Sequence, residues 1–233
     1  MRIFFTFLLL LGFTLGPGEN SWAMFFPNGD FETGDLSGYF VQEDFSDVGS
    51  SPFANAVDDG TGNHVGELLT GFTSHGVTNI TLGRDIGTMP LSAENLFFDF
   101  RVFDVGDDAG GGSSFIDLLT IALLTDSGDL NPIMTADTAG YSVIDPSLTN
   151  VSLLSNGFYR VNTNVSGFSG ANNSRLFFDL FDDDDARLTK AWIDNLDLTL
   201  QEESNVIPEP ATLMMMGAGI ISMAGLRRKN KKA

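Results

Sequence analysis

The chain has 233 residues, no cysteine and a formal net charge of −19. Its basic residues concentrate at the two ends, so that residues 24–207 hold six cations against 29 acids, a formal charge of −23. This charge excludes nucleic acid and anionic lipid head groups as partners of the middle of the chain. Without disulfides, the middle must be held by a hydrophobic core, with or without a metal ion.

The first 23 residues have the features of an export signal. Arg2 supplies a positive start, and residues 3–15 form an apolar run that is shorter than the ~20 residues a membrane span needs. A Gly-Pro-Gly break follows, and Ser21 and Ala23 are small residues suited to a cleavage site. The sequence predicts a signal peptide over residues 1–23, removed after export, with an uncleaved anchor helix as the alternative.

The middle of the chain has the pattern of an all-β protein. Short apolar or alternating runs are separated by Gly, Asp, Asn and Ser, and none keeps a helical spacing. Their number and spacing predict a two-sheet sandwich in a single domain over residues 24–203. The eight clearest predicted strands are residues 38–42, 65–70, 77–82, 96–103, 115–125, 158–165, 175–181 and 191–200.

The run LFFDFRVF, residues 96–103, predicts the two faces of one strand. Alternate side chains of a strand point to opposite faces, so Leu96, Phe98 and Phe100 share the core-facing side with Val102. The other side carries Phe97, Asp99, Arg101 and Phe103. Two phenylalanines on that second side predict that it too is partly covered.

Two segments carry a family resemblance. NGDFETGDLSGYF, residues 28–40, and AWIDNLDLTL, residues 191–200, resemble the first and last strands of a galactose-binding-like jelly roll, the sandwich of many carbohydrate-binding modules. The segments between them fit the same pattern, so the resemblance covers nearly all of residues 25–201. It implies a jelly-roll β-sandwich and, with less specificity, a carbohydrate ligand.

The same resemblance implies a structural Ca²⁺ site. In calcium-binding jelly rolls of this type an ion ties the first strand to the last, and Glu32 and Asp194 match the positions that donate carboxylates. Asp30 and the backbone carbonyls of its turn, from Asn28 onward, would complete a shell of oxygen ligands, which Ca²⁺ prefers. The alternative is that these carboxylates accept backbone hydrogen bonds at the strand ends.

Two loops concentrate further acids. Residues 182–185 are four consecutive aspartates, and a second loop holds Asp104, Asp107 and Asp108 among glycines. Neither loop fits an EF-hand, which needs ligands at alternate positions and a terminal Glu. We interpret Asp182, Asp183, Asp184 and Asp185 as a solvated loop, with a low-affinity external calcium site as the alternative.

No pattern singles out catalytic residues. Paired carboxylates hydrolyse glycosides, but 29 acids offer too many candidate pairs to select one. His64 and His75 are the two histidines, and no G-x-S-x-G nucleophile elbow accompanies them. The sequence therefore predicts a protein that is not an enzyme, with a glycoside hydrolase as the alternative.

Aromatic side chains that stack on sugars are few. Trp192 lies beside the predicted metal ligand and Tyr39 at a position that is a core aromatic in the resembled family, so both are interpreted as structural. Tyr141 and Tyr159 remain for a stacking platform. Exposed phenylalanines or a polar, calcium-dependent contact are the other ways to hold a glycan.

The C-terminal end has three parts in a fixed order. Pro208, Glu209 and Pro210 close a linker over residues 204–210, sixteen apolar residues follow over 211–226, and residues 227–233 are basic. The order resembles a PEP-CTERM sorting signal, which an exosortase-type membrane protease is thought to recognise. Within the basic tail, Arg227 and Arg228 lead the cations that the positive-inside rule keeps in the cytoplasm.

The apolar part of this tail predicts a marginal transmembrane helix. Sixteen residues at ~1.5 Å each span ~24 Å, short of a ~30 Å hydrocarbon core. The predicted outcome is transient anchoring in the inner membrane of a Gram-negative bacterium, followed by cleavage near the prolines. The alternative is a permanent anchor.

Together these features predict an exported, non-catalytic protein of the cell surface or of the extracellular matrix of a biofilm. Its predicted partners are the sorting protease and an exopolysaccharide, and its predicted cofactor is a structural Ca²⁺ ion. The alternative function is a secreted hydrolase that acts on polysaccharide.

Overall fold

Almost all regular structure in the described residues is β-strand. The computed structural model describes residues 25–45, 53–70, 78–107, 117–126, 128–182 and 187–201. Within them the strands are β1 Tyr39–Phe45, β2 Phe53–Asp58, β3 His64–Leu69, β4 Thr78–Gly87, β5 Ala93–Asp107, β6 Leu118–Leu124, β7 Leu130–Ala136, β8 Tyr141–Val143, β9 Thr149–Leu153, β10 Tyr159–Asn164, β11 Ser174–Asp182 and β12 Arg187–Leu200. A short 3-10 helix, Ser166–Phe168, follows β10.

The strands form two six-stranded antiparallel sheets. The first sheet has the order β1-β4-β11-β6-β7-β8, and the second has the order β2-β3-β12-β5-β10-β9. The last two strands of the chain lie inside the sheets, β11 between β4 and β6, and β12 between β3 and β5. This arrangement is a jelly-roll β-sandwich, as the sequence predicts.

The core lies between the sheets and is built by alternate residues of the central strands. Phe98 and Phe100 of β5 and Phe178 of β11 are fully buried, and the rings of Phe98 and Phe178 meet edge to face at 5.4 Å. Burying each such ring contributes about 1.5–3 kcal/mol. The described core runs from Phe26 to Leu198, so residues 25–201 contain both sheets and the whole of this core.

The segment before β1 is tied to the end of β12. The amide of Leu196 donates to the carbonyl of Gly29 at 2.8 Å, and the amide of Phe25 donates to Asp197 Oδ1 at 2.7 Å. A Cβ at Gly29 would lie 2.0 Å from the Leu196 carbonyl oxygen, so only glycine fits there. Phe31 then enters the core and stacks on Tyr39 at 4.7 Å. The first turn and the last strand are therefore neighbours.

All eight predicted strands are confirmed, with ends displaced by a few residues. Four more strands, β2, β7, β8 and β9, are present that the sequence pattern did not indicate. Among the described residues, no helix has the length and apolar character needed to cross a membrane. The predicted signal peptide, linker, transmembrane helix and basic tail lie outside the described residues.

Candidate functional site

The outer face of the second sheet carries the tryptophan of the domain. Ala191 and Ile193 point into the core, so Trp192 between them points outward and is partly exposed. In the strand pairing Trp192 lies opposite Arg101 of β5 on one side and Glu67 of β3 on the other. These three side chains occupy one row across the middle of the sheet.

Aromatic rings surround the indole. Phe103 meets Trp192 edge to face at 4.8 Å, and Phe158, which is buried, lies nearly parallel to it at 6.1 Å. Such pairs contribute about 0.5–1.5 kcal/mol beyond the burial of area. We call Trp192, Phe103, Phe158 and Arg101 the Trp192 platform.

One buried carboxylate fixes the orientation of the indole. Trp192 Nε1 donates to Glu67 Oε2 at 2.9 Å, and Lys190 Nζ lies 2.9 Å from the same oxygen. Glu67 is buried and would be costly there without these partners. The ring of Trp192 is therefore held in one position, with its polar edge satisfied and part of its surface open to solvent.

Arg101 completes the platform. Its guanidinium lies 5.2 Å from the centre of the Phe103 ring and 6.0 Å from that of Trp192, within the range of cation–π attraction. Within the described part of the chain, no carboxylate forms a salt bridge with it. The platform thus presents a positioned positive charge beside an indole.

A carboxylate cluster lies next to the platform on the same face. Asp99 of β5 and Asp194 of β12 are opposite each other and both are buried. Arg160 donates from Nε and Nη2 to the two oxygens of Asp99, each at 2.8 Å, and this hydrogen bonding raises the pKa of Arg160. Asn195 Nδ2 donates to Asp99 and to Asp194, at 3.0 Å each. The amide thereby separates two like charges that would otherwise repel.

The surroundings of Asp194 disfavour its ionised form. Burial raises its pKa to about 6, and the nearby charges of Asp99 and Asp30 add to the rise. Hydrogen bonds from the Asn63 side chain and the Asn195 backbone oppose it. A proton or a cation at this carboxylate would relieve the cost of its buried charge.

The three predicted calcium ligands are brought to one end of the sandwich, around the turn before β3. The amide of His64 donates to Glu32 Oε1 at 3.1 Å, and Asn63 Nδ2 donates to Asp194 Oδ2 at 3.1 Å. Asp30 Oδ1 accepts the amide of Glu32 at 3.3 Å. These carboxylates thus accept hydrogen bonds from the protein, which was the alternative interpretation.

The donor chemistry of this end still fits a hard cation. A buried carboxylate with a raised pKa lies beside further oxygen donors, the set that Ca²⁺ favours. Within the described ranges no three His, Asp or Glu side chains are grouped to hold an ion. Backbone carbonyls would therefore have to supply much of a calcium shell.

The other predicted acidic site is only partly described. Asp182 is buried as the last residue of β11, so its interpretation as part of a solvated loop is wrong. Burial follows from its place in the alternation of β11, where every second residue faces inward. Asp183, Asp184 and Asp185 lie outside the described residues, as does His75.

The predicted aromatic roles are confirmed in one case and revised in another. Tyr39 is structural, since its ring stacks on Phe31 and the guanidinium of Arg84 lies 4.8 Å from its centre, while burial raises its pKa. Trp192 is not confined to a structural role, because its indole is on the outer face. Tyr141, 44% exposed, and Tyr159 do meet, at 5.2 Å.

Sequence reasoning missed the platform as a unit. The alternation in residues 96–103 already placed Arg101 and Phe103 on the outer side of β5. What it lacked was the register of β12, which sets Trp192 opposite Arg101. Phe158 begins a predicted strand, but its contact with the indole depends on the same register and could not be predicted.

Known structures similar to this chain are remote in sequence. One is a structure from work on the promiscuous specificity of carbohydrate-binding modules of the β-sandwich superfamily. It has 12% identity and a TM-score of 0.44, and the match covers 73% of this chain and 60% of that chain. A family 11 carbohydrate-binding module of a Clostridium thermocellum cellulase has 14% identity, a TM-score of 0.35, and coverages of 72% and 91%. The enzymatically active domain of tailspike protein 4 from bacteriophage CBA120 has 14% identity, a TM-score of 0.43, and coverages of 76% and 21%.

These coverages mean that the chain spans about a fifth of the tailspike structure and three-fifths of the first module structure. No curated protein matches the chain.

The end of the chain does match a family model, that of the PEP-CTERM protein-sorting motif, over residues 206–229. The match takes in Pro208, Glu209 and Pro210, the apolar run and the first basic residues, so this jelly-roll protein carries a PEP-CTERM protein-sorting motif at its C-terminal end.

Proposed function

We propose that this chain is an exported polysaccharide-binding protein of the cell surface or extracellular matrix, and that the Trp192 platform is its binding surface. The observation that carries the proposal is an indole fixed by Glu67 and left partly open on the outer face of a sheet. The C–H face of a sugar ring stacks on such a surface, and nearby polar groups contact its hydroxyls. Glu67, Lys190 and Arg101 are the polar groups at hand.

The acids near the platform are already hydrogen-bonded or paired with cations, which supports binding of a polysaccharide over its hydrolysis. A glycosidase needs one carboxyl group free to donate a proton and a second free to act as base or nucleophile. At the platform, Glu67 already accepts from Trp192 and contacts Lys190, and Asp99 accepts both arms of Arg160. These contacts hold both carboxylates in place, which suits a binding surface.

The sorting motif supports the proposed route. An exosortase-type protease would cut near Pro208, Glu209 and Pro210 after the apolar run has held the chain in the inner membrane. Cleavage there removes the hydrophobic end and frees the jelly roll for the surface or the matrix. Glu209 is the one charge between the two prolines, so we infer that it takes part in recognition.

We also propose a structural Ca²⁺ ion held by Glu32, Asp194 and Asp30 with backbone carbonyls. The ion would supply positive charge where burial and like charges already disfavour the ionised form of Asp194. It would also tie the first turn to β12, which the hydrogen bonds of Leu196 and Phe25 already join. Its role is stability and not contact with the sugar.

The binding proposal is tested by affinity gel electrophoresis of residues 24–205 through gels that contain different polysaccharides. We expect at least one polysaccharide to retard the protein and Trp192→Ala to abolish that retardation. Tyr141→Ala is the matched control, because it removes an exposed aromatic ring outside the platform, on β8, the edge strand of the first sheet. Urea unfolding establishes that both variants are folded.

Two outcomes would contradict the proposal. One is retardation that a folded Trp192→Ala protein retains in full. The other is loss of retardation in Tyr141→Ala alone, which would move the binding surface to the edge formed by Tyr141 and Tyr159.

A further inference from the structure

Half of the cations of the domain lie near its tryptophan. Residues 24–207 contain six Lys and Arg in all. Three of them lie on the outer face of the second sheet: Arg101 in the row of Trp192, and Arg160 and Lys190 in the two rows beside it. The segment has a formal charge of −23, so three cations on one face of one sheet indicate a specific role for that face.

Two of these three cations are used within the protein. Arg160 forms a bidentate pair with Asp99, and Lys190 lies 2.9 Å from Glu67. Arg101 differs, since none of the described carboxylates pairs with it although acids outnumber cations almost five to one in this segment. It is instead packed against Phe103 and Trp192, which hold its planar group in place.

The first sheet provides an internal comparison. On its outer face Arg175 lies 5.9 Å from the centre of the Phe40 ring, and Phe40 meets Phe177 edge to face at 5.8 Å. This arrangement resembles that of Arg101, Phe103 and Trp192. There, however, Asp85 Oδ1 lies 2.7 Å from Arg175 Nε and neutralises it. The two faces differ in whether the stacked guanidinium already has an acid.

We infer that the Trp192 platform selects polysaccharides whose sugars carry carboxylates, that is, polyuronates. This inference rests on the proposed binding function. The planar guanidinium of Arg101 matches a carboxylate with two parallel hydrogen bonds, while the sugar ring that bears the carboxylate stacks on Trp192. Arg101 then gains the partner that the protein itself does not supply.

The acidity of the domain does not oppose this selection at the platform. Charges further than about 8 Å away are largely screened at physiological ionic strength. Nearby, Glu67 is neutralised by Lys190 and Asp99 by Arg160, and Asp194 is covered by the amides of Asn63 and Asn195. Asp104 lies outside this row, opposite Thr189, whose hydroxyl is 3.5 Å from Asp104 Oδ1. Arg101 is the remaining charge at the centre of the platform.

The test compares each polyuronate with its own carboxyl-reduced form, in which every carboxylate has become a hydroxymethyl group and the linkages are unchanged. Polygalacturonate and polymannuronate are the two probes, and binding to residues 24–205 is measured by isothermal titration calorimetry at one salt concentration. A sulfated galactan serves as a third arm, because sulfate is anionic but not planar.

We expect at least one polyuronate to bind about ten-fold more tightly than its reduced form, a difference of about 1.4 kcal/mol. Arg101→Gln should remove that preference, so that the native and the reduced polymer bind with equal affinity, and Arg101→Lys should restore only part of it. Arg175→Gln is the matched control and should bind like wild type. Urea unfolding establishes that each variant is folded.

The results distinguish the selection of carboxylates from the polysaccharide binding on which it depends. Equal affinity for native and reduced polymers, lost in Trp192→Ala, would overturn carboxylate selection and leave the binding surface standing. A preference for the sulfated arm over both polyuronates would also overturn it. Binding that neither Trp192→Ala nor Arg101→Gln alters would overturn both proposals.

Discussion

Replacing Arg160 by Met tests how the carboxylate cluster beside the platform is held together. Arg160 donates two hydrogen bonds of 2.8 Å to Asp99, whose side chain is 3% exposed while that of Arg160 is 48% exposed. Arg160→Met keeps most of the apolar stem and removes both bonds. Asp99 is then left as a buried charge with the Asn195 amide as its remaining partner.

The size of the loss follows from this geometry. Removing one partner of a buried ion pair costs about 3–5 kcal/mol. Water can enter where the half-exposed Arg160 stood, and Asn195 still donates to Asp99, so we expect about 2–3 kcal/mol. For a domain of this size that corresponds to a drop in melting temperature of about 4–12 °C.

Urea unfolding of residues 24–205 at neutral pH measures the effect, with midpoint and slope compared between variants. Arg175→Met is the matched control, since Arg175 and Asp85 are 50% and 63% exposed and such pairs contribute about 0.2–1 kcal/mol. Adding Asp99→Asn to Arg160→Met should recover at least half of the loss, because it removes the unpaired charge. Equal losses in Arg160→Met and Arg175→Met, or no recovery in the double variant, would refute the reasoning.

Four further outcomes are expected. Gly66→Ala should cost about 1–3 kcal/mol, because a Cβ there would lie 2.6 Å from the Phe31 ring in the core, whereas Gly167→Ala, with open space around it, should be neutral. Burial raises the pKa of Asp179 in the folded protein, so the protonated carboxyl group is compatible with folding at low pH and this stability is lost as the pH rises through the folded-state pKa. Asp179→Asn removes the buried charge and should raise the melting temperature at pH 7. The increase should become smaller toward pH 4. Calcium at ~100 times its dissociation constant should add about 2.7 kcal/mol of stability that EDTA or Glu32→Gln removes, and an unchanged melting curve would refute the ion. Intact mass spectrometry of protein recovered from outside the cell should show loss of both ends, and Glu209→Gln should trap the uncut form in the membrane; a full-length tail on released protein would contradict this route.

The central strands could be predicted from sequence because each combines a long run with a buried alternating face. β5 and β11 are examples, with every second residue in the core. The four strands that were missed lack this signal for local reasons. β2 and β9 are edge strands without an alternating buried face, β8 has three residues, and β7 contains Pro132 beside a register shift.

The site was harder to predict than the fold because it depends on which residues of distant strands face each other. Sequence alone placed Glu32 and Asp194 together, through a family resemblance, and the turn of Asn63 and His64 does join them. It could not place Trp192 opposite Arg101, since the pairing of β12 with β5 has three register shifts, one before this row and two after it. A shift of one residue would have turned the indole into the core.

The most direct test of the binding surface is the fluorescence of Trp192. It is the only tryptophan of residues 24–205, because Trp22 lies in the predicted signal peptide, so the emission reports on the platform alone. Titration with a polysaccharide that retards the protein should shift or quench this emission, saturate at the affinity measured by calorimetry, and do so in Tyr141→Ala as in wild type. Binding that calorimetry detects while the emission of Trp192 stays unchanged would contradict the account.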